Sequence, residues 1–137
     1  MKTILVSILI VLSVSLSAQQ SNTSPSKIYQ MVEQMPEYPG GEEKMMQFVR
    51  TNTHYPDFEK QHKIEGMVVI GFVVTETGDI TNATVKKSVS PGLDQEALRV
   101  VNSLGKFKPG KTHGKVIAVQ YIIPITFTLP QADTKRN

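Results

Sequence analysis

The residue types that most often carry chemistry are sparse in this chain and poorly spaced for it. Its three histidines are His54, His62 and His113. His54 and His62 stand eight residues apart across Pro56, whereas a helical zinc site places two ligands at i and i+4 on one face. Cysteine is absent, which removes disulfides, thiolate metal sites, a nucleophilic thiol and a lipid-bearing N-terminal cysteine. Asp94 and Glu96 are two residues apart at an expected helix start, so they do not face one another; capping and the helix dipole account for them. Gly40-Gly41 precedes a helical pattern, but without the Gly-Lys-Ser/Thr ending or the long preceding strand of a phosphate loop. These patterns predict no catalytic residue, no metal site and no cofactor, hence a protein that is not an enzyme.

One charged feature remains. Lys106, Lys108, Lys111 and Lys115 crowd a short segment with His113, and no acid stands among them. Four clustered lysines raise the local potential and suit an anionic surface, a polyanion or cell-wall polymer. A solvated loop kept soluble by its charges has the same composition, so both readings stay open. Nucleic acid is not an expected partner, because no aromatic residues are interleaved to stack on bases.

These residues must be positioned by one small core. The chain has 137 residues, of which 39% are hydrophobic and 20% charged, enough for a single compact domain. Met1-Lys2 leads into an apolar run from Ile4 to Leu16, followed by the small residues of Ser15-Leu16-Ser17-Ala18. This is the pattern of a secretion signal, residues 1–18, with cleavage expected near Ala18 and export to the periplasm. An uncleaved anchor is the alternative, but 13 residues rise only about 20 Å as a helix against a hydrocarbon core of ~30 Å. Residues 19–34 are expected to be a flexible lead-in, residues 35–130 the domain, and residues 131–137 a frayed tail.

Within the domain, seven of the eight residues from Met67 to Val74 are Met, Val, Ile or Phe, which predicts a strand buried on both faces, over 66–74. The Thr77-Gly78-Asp79 turn starts a return strand from Ile80 to about Val89. Its apolar parity switches between Ile80 and Ala83, predicting a bulge near Thr81 or Asn82. Met45, Phe48 and Val49 give a first helix, ending near Asn52; Pro56 opens a short second one through about His62. Pro91-Gly92 is expected to end the return strand, and Leu93, Ala97, Val100, Val101 and Leu104 mark a second long helix capped by Gly105. From Val116 to Leu129 every odd position is apolar, predicting one long strand; Pro124 on its other face makes it an edge strand.

Taken together, Tyr55-Pro56, Ile64-Glu65-Gly66 leading to Val68, Ile70, Phe72 and Val74, then Gly78, and Phe107-Lys108-Pro109-Gly110 before the last strand resemble the C-terminal domain of TonB. The resemblance runs from about Tyr55 to Leu129, and Met35-Pro36-Glu37-Tyr38-Pro39-Gly40-Gly41 looks like the extension of Bacteroidetes-type members. It implies an α+β fold, a three-stranded antiparallel sheet of order second, first, third, with two main helices on one face. The strands read from the residues agree.

The resemblance also implies a function: binding the TonB box of an outer-membrane receptor, or a similar segment of another envelope protein, by strand addition beside the last strand. Main-chain hydrogen bonds then give affinity and side-chain pockets give selectivity. The peptide-binding residues expected on this ground are Val116, Ile117, Ala118, Val119, Gln120 and Tyr121, with Tyr55 and Asn52 nearby. Pro124 would interrupt a ladder and confine pairing to the first half of the strand. A full transducer has an uncleaved membrane helix and a long proline-rich spacer. Only about ten polar residues precede the domain here, so a detached periplasmic module is expected ahead of an anchored transducer. Helices on one face leave Met67, Val69 and Val73 needing cover, which makes a homodimer through the open face a further expectation.

Overall fold

The structure, a computed structural model, describes Ile28 and residues 32–131. The expected signal peptide, most of the lead-in and most of the tail lie outside the described residues. Among the described residues no helix is long and apolar enough to cross a membrane.

Strand β1, Gly66–Val74, is the middle strand of a three-stranded antiparallel sheet, with β2, Ile80–Lys87, on one side and β5, Val119–Phe127, on the other. Its even positions Val68, Ile70, Phe72 and Val74 are at most 1% exposed. Burying each such side chain contributes about 1.5–3 kcal/mol. Across the ladder they sit beside Ile125, Ile123, Tyr121 and Val119, which places both sets on one face of the sheet. The two long helices, α1 (Gly41–Asn52) and α3 (Pro91–Asn102), cover that face. Met45 and Val49 of α1 and Leu93, Ala97, Val100 and Val101 of α3 are the buried positions, at helical spacing.

The short helix α2, Asp57–Gln61, opens after Pro56 and is held to α3 by a buried carboxylate. Glu59 is 3% exposed and accepts a hydrogen bond from Ser90 Oγ at 3.0 Å. Ser90 is also the N-cap of α3, its Oγ accepting from the Leu93 N–H. Pro91-Gly92 therefore begins the helix instead of ending the strand. Proline is well suited to that first position, where its missing N–H has no intrahelical partner to lose. At the other end the helix stops at Ser103, two residues before Gly105.

The expected bulge lies where parity demanded it. Gly71 and Val73 pair with Thr84 and Thr81, so Asn82 and Ala83 on β2 oppose Phe72 alone on β1, with Asn82 at φ 53°. A second irregularity follows at Lys86, between the Ile70–Val85 and Val69–Lys87 pairs. The Lys86 stem lies against Gly71 on the face away from the helices. The chain thus covers part of this face itself: Val73 is 8% exposed and Met67 38%.

The last strand differs from expectation. Instead of one run over 116–129, the chain breaks at Ala118: β3 (Gly110–Thr112) and β4 (Lys115–Ile117) form a separate hairpin, and β5 follows. His113 and Gly114, at φ 49° and 73°, make the two-residue turn, both left-handed as a type I′ hairpin requires. Ala118 and its neighbours Ile117 and Val119 are all buried, so both parities turn inward at the break. The odd-position pattern survives on each side of it, and for that reason period-two reading passes straight through.

Candidate functional site: the outer edge of the last strand

Strand β5 has β1 on one side and, among the described strands, none on the other. Pro124 lies inside this ladder, opposite Val69. Having no N–H, it fits an edge strand with its nitrogen turned outward. Backbone groups alternate sides along a strand, so the even positions of β5 point outward and the odd ones toward β1. Just past the strand, odd-numbered Leu129 agrees, donating its N–H to Glu65 next to β1.

Two grooves lie along this edge, each lined by residues from both faces of β5. One, about 400 Å³, is bounded by Met46, Val49, Arg50, Thr53, Tyr55, Thr126, Phe127 and Thr128. The other, about 510 Å³, is bounded by Met35, Pro36, Glu37, Tyr38, Glu42, Gln120, Tyr121 and Ile122. Helix α1 contributes to both, so a strand laid along β5 would lie between a sheet edge and a helix.

Tyr55, in the first groove, packs edge-on against Phe127 with ring centroids 5.7 Å apart, and its hydroxyl donates to the Ile64 carbonyl. Burial, with the nearby carboxylates of Glu65 and Glu59, pushes its pKa up. Tyr121, in the second, stacks on Phe72 at 5.3 Å; burial and the Glu42 charge raise its pKa too. Val119 is fully buried, with its side chain against Gly110 of the β3–β4 hairpin. Val116 and Ile117 lie in the β3–β4 hairpin, opposite Lys111 and Gly110, outside the three-stranded sheet. Asn52 lies away from both grooves: its side chain donates to the Phe48 carbonyl, and its own carbonyl accepts from Arg99 at 2.6 Å.

That contact belongs to a clamp between α3 and the segment joining α1 to α2. Glu96 accepts from the His54 N–H at 2.8 Å and from Arg99 at 2.6 and 2.9 Å, with its side chain 12% exposed. Burial alone would raise the Glu96 pKa, but the Arg99 and His54 hydrogen bonds and charges together outweigh it and lower it. A carboxylate with a depressed folded pKa stabilises the fold above its unfolded value and loses that contribution as pH falls through the folded one. Glu96→Gln is therefore expected to lower Tm by a few degrees at pH 7. The gap to the parent should close in acid below the ordinary carboxylate range; a gap independent of pH would contradict this, and thermal melts across pH 3–7 read it.

Of the four lysines, Lys106 meets an acid from elsewhere in the chain, and a second acid faces His113. Lys106 pairs with Asp79 at 2.8 Å, and His113 faces Glu33 at 3.5 Å. Lys108 and Lys111 exchange backbone hydrogen bonds of 2.8–3.0 Å with Glu37 and Gln34, and Lys115 sits opposite Thr112. Among the described residues no cluster of His, Cys, Asp or Glu could hold a metal ion.

An α+β domain with an antiparallel sheet of order β2-β1-β5 and a grooved, one-sided edge strand is the class these observations define. Residues 51–129 match the family described as Gram-negative bacterial TonB protein C-terminal, and the chain belongs to that family. It is similar in fold to two solution structures of the Helicobacter pylori TonB C-terminal domain. One is 23% identical with TM-score 0.52, covering 66% of this chain and 81% of that one; the other is 24% identical with TM-score 0.51, covering 66% and 95%. No curated protein matches the chain.

Proposed function

We propose that this protein is an exported interaction domain that captures an extended segment of an outer-membrane TonB-dependent receptor, or of a similar envelope protein, by adding it as a strand to β5. The observation that carries this reading is the one-sided edge of β5 between its two grooves. Such an edge offers main-chain donors and acceptors at strand spacing, and the grooves offer seats for side chains on either face of the added strand. Gln120 and Tyr121, at the start of β5, and Tyr55, at its far end, are the contacts assigned to the peptide. Val116, Ile117, Ala118 and Val119 carry the chain into that edge. Export rests on the apolar Ile4–Leu16 run and the small residues after it.

Titrating receptor N-terminal peptides into the intact chain while recording amide shifts tests the proposal. Shifts are expected along β5 and at Tyr55. Unmoved β5 amides at millimolar peptide would overturn it.

A further inference from the structure

The two grooves differ in charge. Arg50 is the one charged residue lining the groove beside Thr126, Phe127 and Thr128. Glu37 and Glu42 are the charged residues lining the groove beside Gln120, Tyr121 and Ile122. All three side chains are on exposed residues, and none is in a salt bridge with another described residue. The acidic end acts on β5 itself, since the Glu42 charge is felt at the Tyr121 hydroxyl. Helix α1 sets the spacing by running beside the strand: Glu42 in its first turn reaches one groove and Arg50 in its last turn reaches the other. From Tyr121 to Phe127 the strand advances six residues, about 20 Å, longer than the Debye length of about 8 Å at physiological ionic strength. The two ends therefore act as separate charge sites.

We infer that this edge selects peptides by charge polarity: an extended segment with an acidic side chain opposite Arg50, a basic one opposite Glu37 and Glu42, and about six mostly apolar residues between. This rests on the strand-capture reading and adds to it a ligand class and the residues that discriminate. Rim charges of this kind contribute more to selectivity and encounter rate than to affinity. An antiparallel strand would meet Arg50 with its N-terminal end and so carry its acid first; a parallel one would carry its base first. In a given strand direction, like charges at both ends disfavour the reversed peptide, so discrimination has an attractive and a repulsive part.

The test uses the intact chain and three ten-residue peptides with a common Thr/Val centre: acid then base, base then acid, and Gln at both ends. One polarised peptide is expected to bind about tenfold more tightly than its reverse at low salt, from two exposed pairs switched between attraction and repulsion. The preference should shrink at high salt. Combining Arg50→Glu with Glu37→Lys and Glu42→Lys should reverse the order of the two. Polarised peptides binding within twofold of each other, or an order unchanged in the triple variant, would overturn the inference while leaving strand capture standing. If none of the three peptides shifts β5 amides, strand capture falls and the polarity inference falls with it.

Discussion

Replacing Ile122 with proline is expected to weaken peptide capture while leaving the domain folded, and replacing its neighbour Ile123 with proline is expected to unfold it. Both residues are in the same strand, and the difference lies in which way their N–H groups face. Pro124 and the Leu129 N–H together put the even positions on the outer side. Ile122 is 58% exposed, so proline there removes an outward donor and leaves the β1 ladder alone. With Pro124 two residues on, the edge would then lack two donors in succession. Losing one main-chain bond and the fit around it should weaken peptide binding about tenfold or more, with a stability change within about 1 kcal/mol. Ile123 is 1% exposed and pairs with Ile70. Proline there removes an inward bond and an isoleucine from the core, a loss of about 3 kcal/mol or more. A small domain has only ~5–15 kcal/mol in hand. Circular dichroism melts and peptide titration read both variants. A folded Ile123→Pro beside an unfolded Ile122→Pro would mean that the odd positions of β5, not the even ones, face outward.

The second large effect is expected at Gly78, in the turn between β1 and β2. Its φ is 82°, and its N–H donates to the Thr75 carbonyl at 2.9 Å. On its other side its carbonyl accepts from the Phe107 N–H, also at 2.9 Å. A Cβ at this position would lie 2.0 Å from the Phe107 carbonyl oxygen. That neighbour is backbone, so no side-chain rotation relieves the contact. Nor can the Phe107 segment withdraw freely, because its ring is 4% exposed and sits 5.4 Å from Tyr38, 5.7 Å from Tyr121 and 5.8 Å from Phe72. Left-handed backbone costs a non-glycine residue about 1–2 kcal/mol, and forcing atoms into a filled site adds about 1–3 kcal/mol. Gly78→Ala should therefore lose roughly 2–5 kcal/mol in urea unfolding on those two grounds. A loss below about 1 kcal/mol, the left-handed cost alone, would show that the Phe107 segment moves aside.

How much of this was legible in the sequence follows from the range of each interaction. The central strand, the two long helices and the Asn82 bulge each leave a local trace: a run of β-branched residues, a helical stripe, a change of parity between Ile80 and Ala83. The strand order also followed from Pro124 and from the resemblance carried by Tyr55-Pro56 and Phe107-Lys108-Pro109-Gly110. The break at Ala118 left no such trace, since an alanine fits either face and the odd positions remain apolar across it. Pairing of Gln34 with Lys111 and of Glu37 with Lys108 joins stretches far apart in sequence, and nothing in either one announces the other. The same holds for Asp79 beside Lys106 and Glu33 beside His113. For the site, Tyr55, Gln120 and Tyr121 were named from sequence and line the grooves. Arg50, Glu37 and Glu42 were missed because their charges acquire meaning only once α1 lies along β5.

The pairing of residues 34–37 with 108–111 also has a mechanical side. Its four backbone hydrogen bonds form two separate couples, Gln34 with Lys111 and then Glu37 with Lys108. Tension entering through the chain ahead of Val32 reaches the first couple before the second, so they are loaded one after the other. The β1–β5 ladder, by contrast, spreads its load over nine paired positions. Under a pull from the N-terminal side, the leading segment should therefore peel first while the three-stranded sheet stays intact.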